Sequence, residues 1–142
     1  MILDTTTMFS DDQAITASAA STNLLDLGAS GTPVGAAAAI SRDLGNSVVP
    51  ILIQVTTAFA NNTSLKVGIQ TDDNTGFSSA ATVLESEAIA VATLVAGYKF
   101  VMQYVPMTVN ERYVRLYYTI AGSNANAGNI TAGLIMGNQT NV

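Results

Sequence analysis

Apolar and polar positions alternate two by two along much of this chain. Leu65, Val67 and Ile69 share one side of a run from Ser64 to Gln70, with Lys66, Gly68 and Gln70 on the other. From Arg112 to Ile120, Val114, Leu116, Tyr118 and Ile120 form one face, and Tyr113, Arg115, Tyr117 and Thr119 the opposite one. A period of two is the signature of half-buried strands. Tyr98–Val105 is aromatic and β-branched, with Phe100, Met102 and Tyr104 on one side. Ile51–Thr57 and Ile130–Met136 are apolar on both faces, as in strands covered on both sides. Weaker strand patterns occur at Thr22–Leu27, Ala36–Ser41 and Thr82–Glu87, and Ala88–Ala96 has room for one helical turn.

Turn chemistry separates the runs. Asn61-Asn62-Thr63, Asp72-Asp73-Asn74-Thr75-Gly76 and Gly122-Ser123-Asn124-Ala125-Asn126 hold residues that tolerate left-handed backbone. The first is spaced like a hairpin loop. About eight short strands in one chain predict an all-β fold: a single-domain β-sandwich, an eight-stranded jelly roll. Residues 1–13 read as an extended N-terminal arm without an evident strand partner, and 14–142 as the sandwich domain. Ile2, Leu3, Met8 and Phe9 make this arm apolar, so it is a candidate partner interface.

Composition narrows the chemistry. The 142 residues include no His, no Cys and no Trp. The commonest general base and metal ligand are therefore missing, as are disulfides and thiolate nucleophiles. Ten acidic and five basic residues give a net charge of −5, which disfavours nucleic acid as a partner. No basic-then-apolar leader opens the sequence, and no run approaches the roughly 20 apolar residues of a membrane helix. A cytoplasmically made chain with no cofactor and no membrane partner is expected.

Motifs for catalysis fail on inspection. Asp72-x-Asn74 opens like a calcium loop, but Phe77 and Val83 occupy the required Gly and Glu positions, leaving an ordinary Asx turn. Glu85 and Glu87 are neighbours on one face and read as a solvated edge rather than a glycosidase pair. No catalytic, cofactor-binding or metal-ligating residue is assigned. Tyr113 and Tyr117 offer an aromatic rim, with Tyr118 turned to the core. Arg42, Arg112 and Arg115 are three of the five bases. They either pair with Asp43 and Glu111 nearby in sequence or anchor acidic loops of a partner through bidentate contacts.

Several blocks carry a resemblance when taken in order: Met1-Ile2-Leu3-Asp4, Phe9-Ser10-Asp11, Gln13-Ala14-Ile15-Thr16 and Asp26-Leu27-Gly28; Gln70-Thr71-Asp72-Asp73-Asn74 and Phe77-Ser78-Ser79; Ala96-Gly97-Tyr98-Lys99-Phe100; Asn110-Glu111-Arg112-Tyr113-Val114-Arg115-Leu116; and Ile130-Thr131-Ala132-Gly133. The chain resembles the capsid cement, or head decoration, proteins of tailed bacteriophages, typified by the cement protein of a Bordetella short-tailed phage. The resemblance implies a jelly-roll fold and a non-enzymatic structural role on the outer surface of the virion. The implied partners are the major capsid protein and a second copy of the chain, as a dimer across two-fold axes rather than a trimer at three-fold positions. The family has no catalytic residues to transfer. A different reading, from the tyrosine face, is a carbohydrate-binding β-sandwich module that holds host glycans.

Overall fold

The computed structural model describes residues 3–40, 49–107 and 109–137. The fold is all-β, as expected for a sandwich. Its strands are β1 (Leu3–Ala14), β2 (Ala19–Ala20), β3 (Leu25–Asp26), β4 (Val49–Asp72), β5 (Ala81–Glu85), β6 (Ile89–Ala90), β7 (Tyr104–Val105) and β8 (Tyr113–Ile135). One 3-10 turn, Val91–Thr93, lies in the stretch with room for a helical turn, directly after β6.

Two long strands, β4 and β8, form the spine. They run antiparallel from Ile51↔Leu134 at one end to Asp72↔Tyr113 at the other. β1 and β5 flank them, giving the order β1-β8-β4-β5, with β2 and β3 added to β8, and β6 and β7 to β4. The expected strands at 51–57 and 64–70 are therefore two halves of one strand. The ladder shifts register four times between Val55 and Ser64, and such bulges bend a strand. Asn61 takes a left-handed φ of 78° there and its side-chain amide donates to the Asn124 carbonyl at 2.8 Å. Opposite, Gly122 and Gly128 have φ of 81° and 139°. A Cβ on Gly128 would run into the ring of Phe59, so the close approach of that ring requires glycine here. Residues that read as hairpin turns thus act as bulges that bend continuous strands.

Alternation buries the expected face. Leu65, Val67 and Ile69 of β4 and Val114, Leu116 and Tyr118 of β8 are all buried. Phe9, Ile15, Ile53, Val55, Phe100 and Ile130 join the same core cluster. The Tyr118 hydroxyl, inside this core, is 2.8 Å from the Ser10 hydroxyl, which in turn donates to Gln13 at 2.7 Å. Burial raises the Tyr118 pKa well above the ordinary phenol value, although the bond to Ser10 opposes the shift.

The N-terminal segment differs from expectation. Residues 3–14 are not a partnerless arm: β1 pairs with β8 from Leu3↔Ile135 to Ala14↔Asn129. Three register shifts interrupt this ladder. They scramble the inside-outside alternation by which a strand is recognised in sequence. Of two other expected strands, one contracts and one does not form. Tyr98–Val105 retains a bridge at Lys99 and the short β7, while residues 36–40 form no strand.

Candidate functional site

The outward face of the β4–β8 ladder gathers three of the predicted contact residues, Tyr113, Arg115 and Tyr117. Because side chains alternate, Tyr113, Arg115 and Tyr117 project opposite to the buried Val114, Leu116 and Tyr118. They sit in register with Asp72, Gln70 and Gly68 of β4.

Arg115 is held in place from two sides. Its Nε donates to Gln70 Oε1 at 2.9 Å. Its guanidinium carbon lies 4.0 Å from the centroid of the Phe77 ring and 5.7 Å from that of Tyr117. Such stacking is favourable because the aromatic face is electron-rich. Burial lowers the Arg115 pKa, against the opposing influence of Tyr117 and Asp72, but guanidinium remains charged in proteins. Its Nη1 and Nη2 make no hydrogen bond among the described residues. The result is a cation whose plane is fixed while its terminal donors stay available, a geometry matched to a carboxylate.

Arg112 behaves differently. Its Nε and Nη2 donate to the two carboxylate oxygens of Asp26 at 2.8 and 2.9 Å, and its guanidinium lies 5.0 Å from the Tyr113 ring centroid. The hydrogen bond to Asp26 is the main reason its pKa is raised. The partner is thus Asp26 of β3 rather than the sequence neighbour Glu111, which instead accepts from the Thr71 hydroxyl at 2.8 Å. Arg42 and Asp43 lie outside the described residues. Arg112 ties β3 to the start of β8; among the described arginines, the one whose bidentate fork is left open is Arg115.

The loop after β4 supplies Phe77. Asp72 organises this loop by accepting from the backbone N–H of Asn74 at 2.9 Å and of Ser79 at 2.8 Å. Burial is the largest single influence on the Asp72 carboxyl and pushes its pKa up, but these N–H groups and the Ser79 hydroxyl together outweigh it and hold it below the ordinary value. The carboxylate is engaged in an Asx turn, in line with the sequence reading. Phe77 has a left-handed φ of 51° and is buried, turned under Arg115. No group of three or more His, Cys, Asp or Glu positioned for a metal ion occurs among the described residues.

The predicted N-terminal contact residues do not join this face. Leu3 and Met8 are half-buried on β1, against the far end of β8. Phe9 is 1% exposed and belongs to the core, so it has no surface to offer a partner. Ile2 lies outside the described residues. Sequence reasoning missed Gln70, Phe77 and Asp26. Gln70 was placed on the outward side of its strand, and that was the one signal available for it. The contacts of Phe77 and Asp26 depend on a loop path and on a pairing 86 residues apart.

A second concave feature lies along the β5–β6 stretch. It is a groove of about 410 Å³ lined by Leu84, Ile89, Phe100, Val101, Met102 and Tyr104, with Glu85 and Glu87 as the charged lining residues among those described. Lys66 pairs with Glu85 at 2.9 Å.

A family model, Bbp16, matches residues 9–134. The chain belongs to the Bbp16 family. That family takes its name from a Bordetella phage protein, in agreement with the resemblance drawn from the ordered sequence blocks. The matched range runs from within β1 to the last residue but one of β8, so it takes in the whole Arg115 face and the groove of this Bbp16-family chain. Family and all-β fold together are compatible with a phage structural protein. No curated protein matches the chain.

Proposed function

We propose that this Bbp16-family chain is a structural virion protein that binds the outer surface of an icosahedral phage head. There it bridges neighbouring capsomers and stabilises the shell against the outward pressure of packed DNA. The partners are the major capsid protein and a second copy of the chain, and no catalysis, cofactor, nucleic acid or membrane is involved. The observation that carries the reading is Arg115, clamped by Phe77 and Gln70 on an outward sheet face with its donor fork unfilled. A protein that stabilises a shell must bind assembled capsomers in preference to separated ones, since only differential binding shifts an equilibrium. A fixed cation on a sheet face meets an acidic loop without first losing side-chain entropy. Many copies then act together on one particle.

The glycan reading is weaker. A sugar stacks on open aromatic faces, and here guanidinium groups lie over the rings of both Tyr113 and Tyr117.

The test is binding to purified shells that lack the protein. Saturable binding at fixed copy number is expected from the natural chain, with loss of binding in Arg115→Glu. Arg115→Lys should bind weakly, because an ammonium provides no fork. Arg112→Lys should bind nearly normally, because Arg112 is already engaged by Asp26. Equal occupancy by Arg115→Glu would refute the docking role, and glycan binding by the isolated protein would favour the other reading.

A further inference from the structure

The groove beside β5 has features that the Arg115 face lacks. Its walls are apolar, and two of the side chains at its mouth stand out in solvent: Val101 is 83% exposed and Tyr104 54%. Isolated exposed hydrophobics are ordinary, but exposed hydrophobics that adjoin an apolar concavity form a continuous surface. Its volume, about 410 Å³, falls in the range of roughly 300–1,000 Å³ typical of ligand sites. Met102 contributes an unbranched thioether that adapts to differing side chains.

Charge selects among occupants. Both charged residues of the lining are acidic. Lys66 neutralises Glu85, whereas the Glu87 carboxylate has no hydrogen-bond or ion-pair partner among the described residues. The mouth of the groove therefore favours a cation beside apolar groups. Ser86 and Gln103 also line it, but the surface that the groove presents is chiefly apolar, which disfavours a sugar.

Backbone geometry sets how an occupant is held. β5 ends the strand order, and no other strand pairs with its outer edge among the described residues. Ile69 faces Leu84 and Gln70 faces Thr82, so Val83 is an extra, bulged residue. A bulge on a five-residue edge strand resists extension of the sheet by a further strand. Binding here depends on side chains entering the groove rather than on a main-chain ladder.

We propose that this groove docks an extended peptide segment of a partner protein, inserting apolar side chains against Met102 and Val101 and placing a lysine or arginine beside Glu87. The site is separate from the Arg115 fork and opposite to it in charge preference. One chain then carries two contact surfaces with different requirements. The inference stands on the isolated protein, so it fails or survives independently of shell binding.

The probe is a capped synthetic peptide of alternating valine and lysine, titrated into the isotope-labelled full-length chain and followed by NMR. A matched peptide with glutamate in place of lysine is the control. Saturable shifts confined to residues 84–89 and 100–104 are expected with the basic peptide, and none with the acidic one. Glu87→Lys should weaken binding about threefold to tenfold, as for a rim charge. Val101→Asp should weaken it about tenfold or more by removing apolar contact area. Both positions are exposed, so unchanged spectra elsewhere will show that the variants fold. Equal binding of the two peptides, or shifts centred on other residues, would overturn the proposal. So would self-association of the free chain that Val101→Asp abolishes, because the occupant would then be a second copy.

Discussion

Truncating Phe9 to alanine tests whether β1 is part of the folded body or an arm resting on it. The Phe9 side chain is 1% exposed and belongs to the main core cluster, which also holds Ile15, Val55 and Ile130. Removing a buried phenylalanine side chain costs about 3–5 kcal/mol, combining the lost transfer energy with the cavity left behind. That is a large share of the roughly 5–15 kcal/mol by which a domain is stable. With a urea dependence of about 1–3 kcal/mol per molar, the midpoint should fall by roughly 1–5 M. Met8→Ala, at a half-buried neighbour, should cost only about 1 kcal/mol. Thr5→Ala, at an exposed position of the same strand, should stay within about 0.5 kcal/mol. Urea unfolding followed by circular dichroism reads all three. Hydrogen exchange on the β1 amides should show protection comparable to that of β8. A Phe9→Ala cost below about 1 kcal/mol, with fast exchange through β1, would refute the packing argument. It would restore the picture of a free arm available to a partner.

Two further predictions concern pH. The Asp72 carboxyl titrates below its ordinary value of 3.8 in the folded chain, so the folded state binds fewer protons than the unfolded one. Its stabilisation is complete above that value and is lost as pH falls through it toward the folded-state pKa; Asp72→Asn should flatten the acid limb of a stability profile while lowering stability at neutral pH. Tyr118 is shifted the opposite way, above 10.0, so stability should fall as pH rises beyond about 10, when the unfolded chain ionises and the folded one does not. Tyr118→Phe should remove that alkaline loss at a cost of about 1 kcal/mol for the bond to Ser10, since the Ser10 hydroxyl keeps Gln13 as a partner. Urea midpoints measured from pH 2.5 to 11 would check both, and unchanged limbs in the two variants would contradict them.

The legible parts of the fold were those where one face is buried along a regular ladder. Leu65, Val67 and Ile69 against Val114, Leu116 and Tyr118 announce themselves by alternation, and their outward neighbours Tyr113, Arg115 and Tyr117 follow from the same pattern. The bend was not legible. Asn61 and Gly122 have the residue types of hairpin turns, and local chemistry does not distinguish a turn from a bulge inside a longer strand. β1 escaped for a related reason, since three register shifts break its period. At the site, the sequence offered Arg112 and Arg115 as equals. What separates them is tertiary: Asp26 reaches Arg112 from another strand, while Phe77 and Gln70 fix Arg115 with no carboxylate hydrogen-bonded to it among the described residues.

A density map of the intact phage particle tests the central proposal most directly. The chain should lie on the outside of the head, across the seams between capsomers, with the Arg115 fork against a carboxylate of the shell protein. A map with no such density on the shell, or one in which the chain sits on a single capsomer with Arg115 turned to solvent, would contradict it.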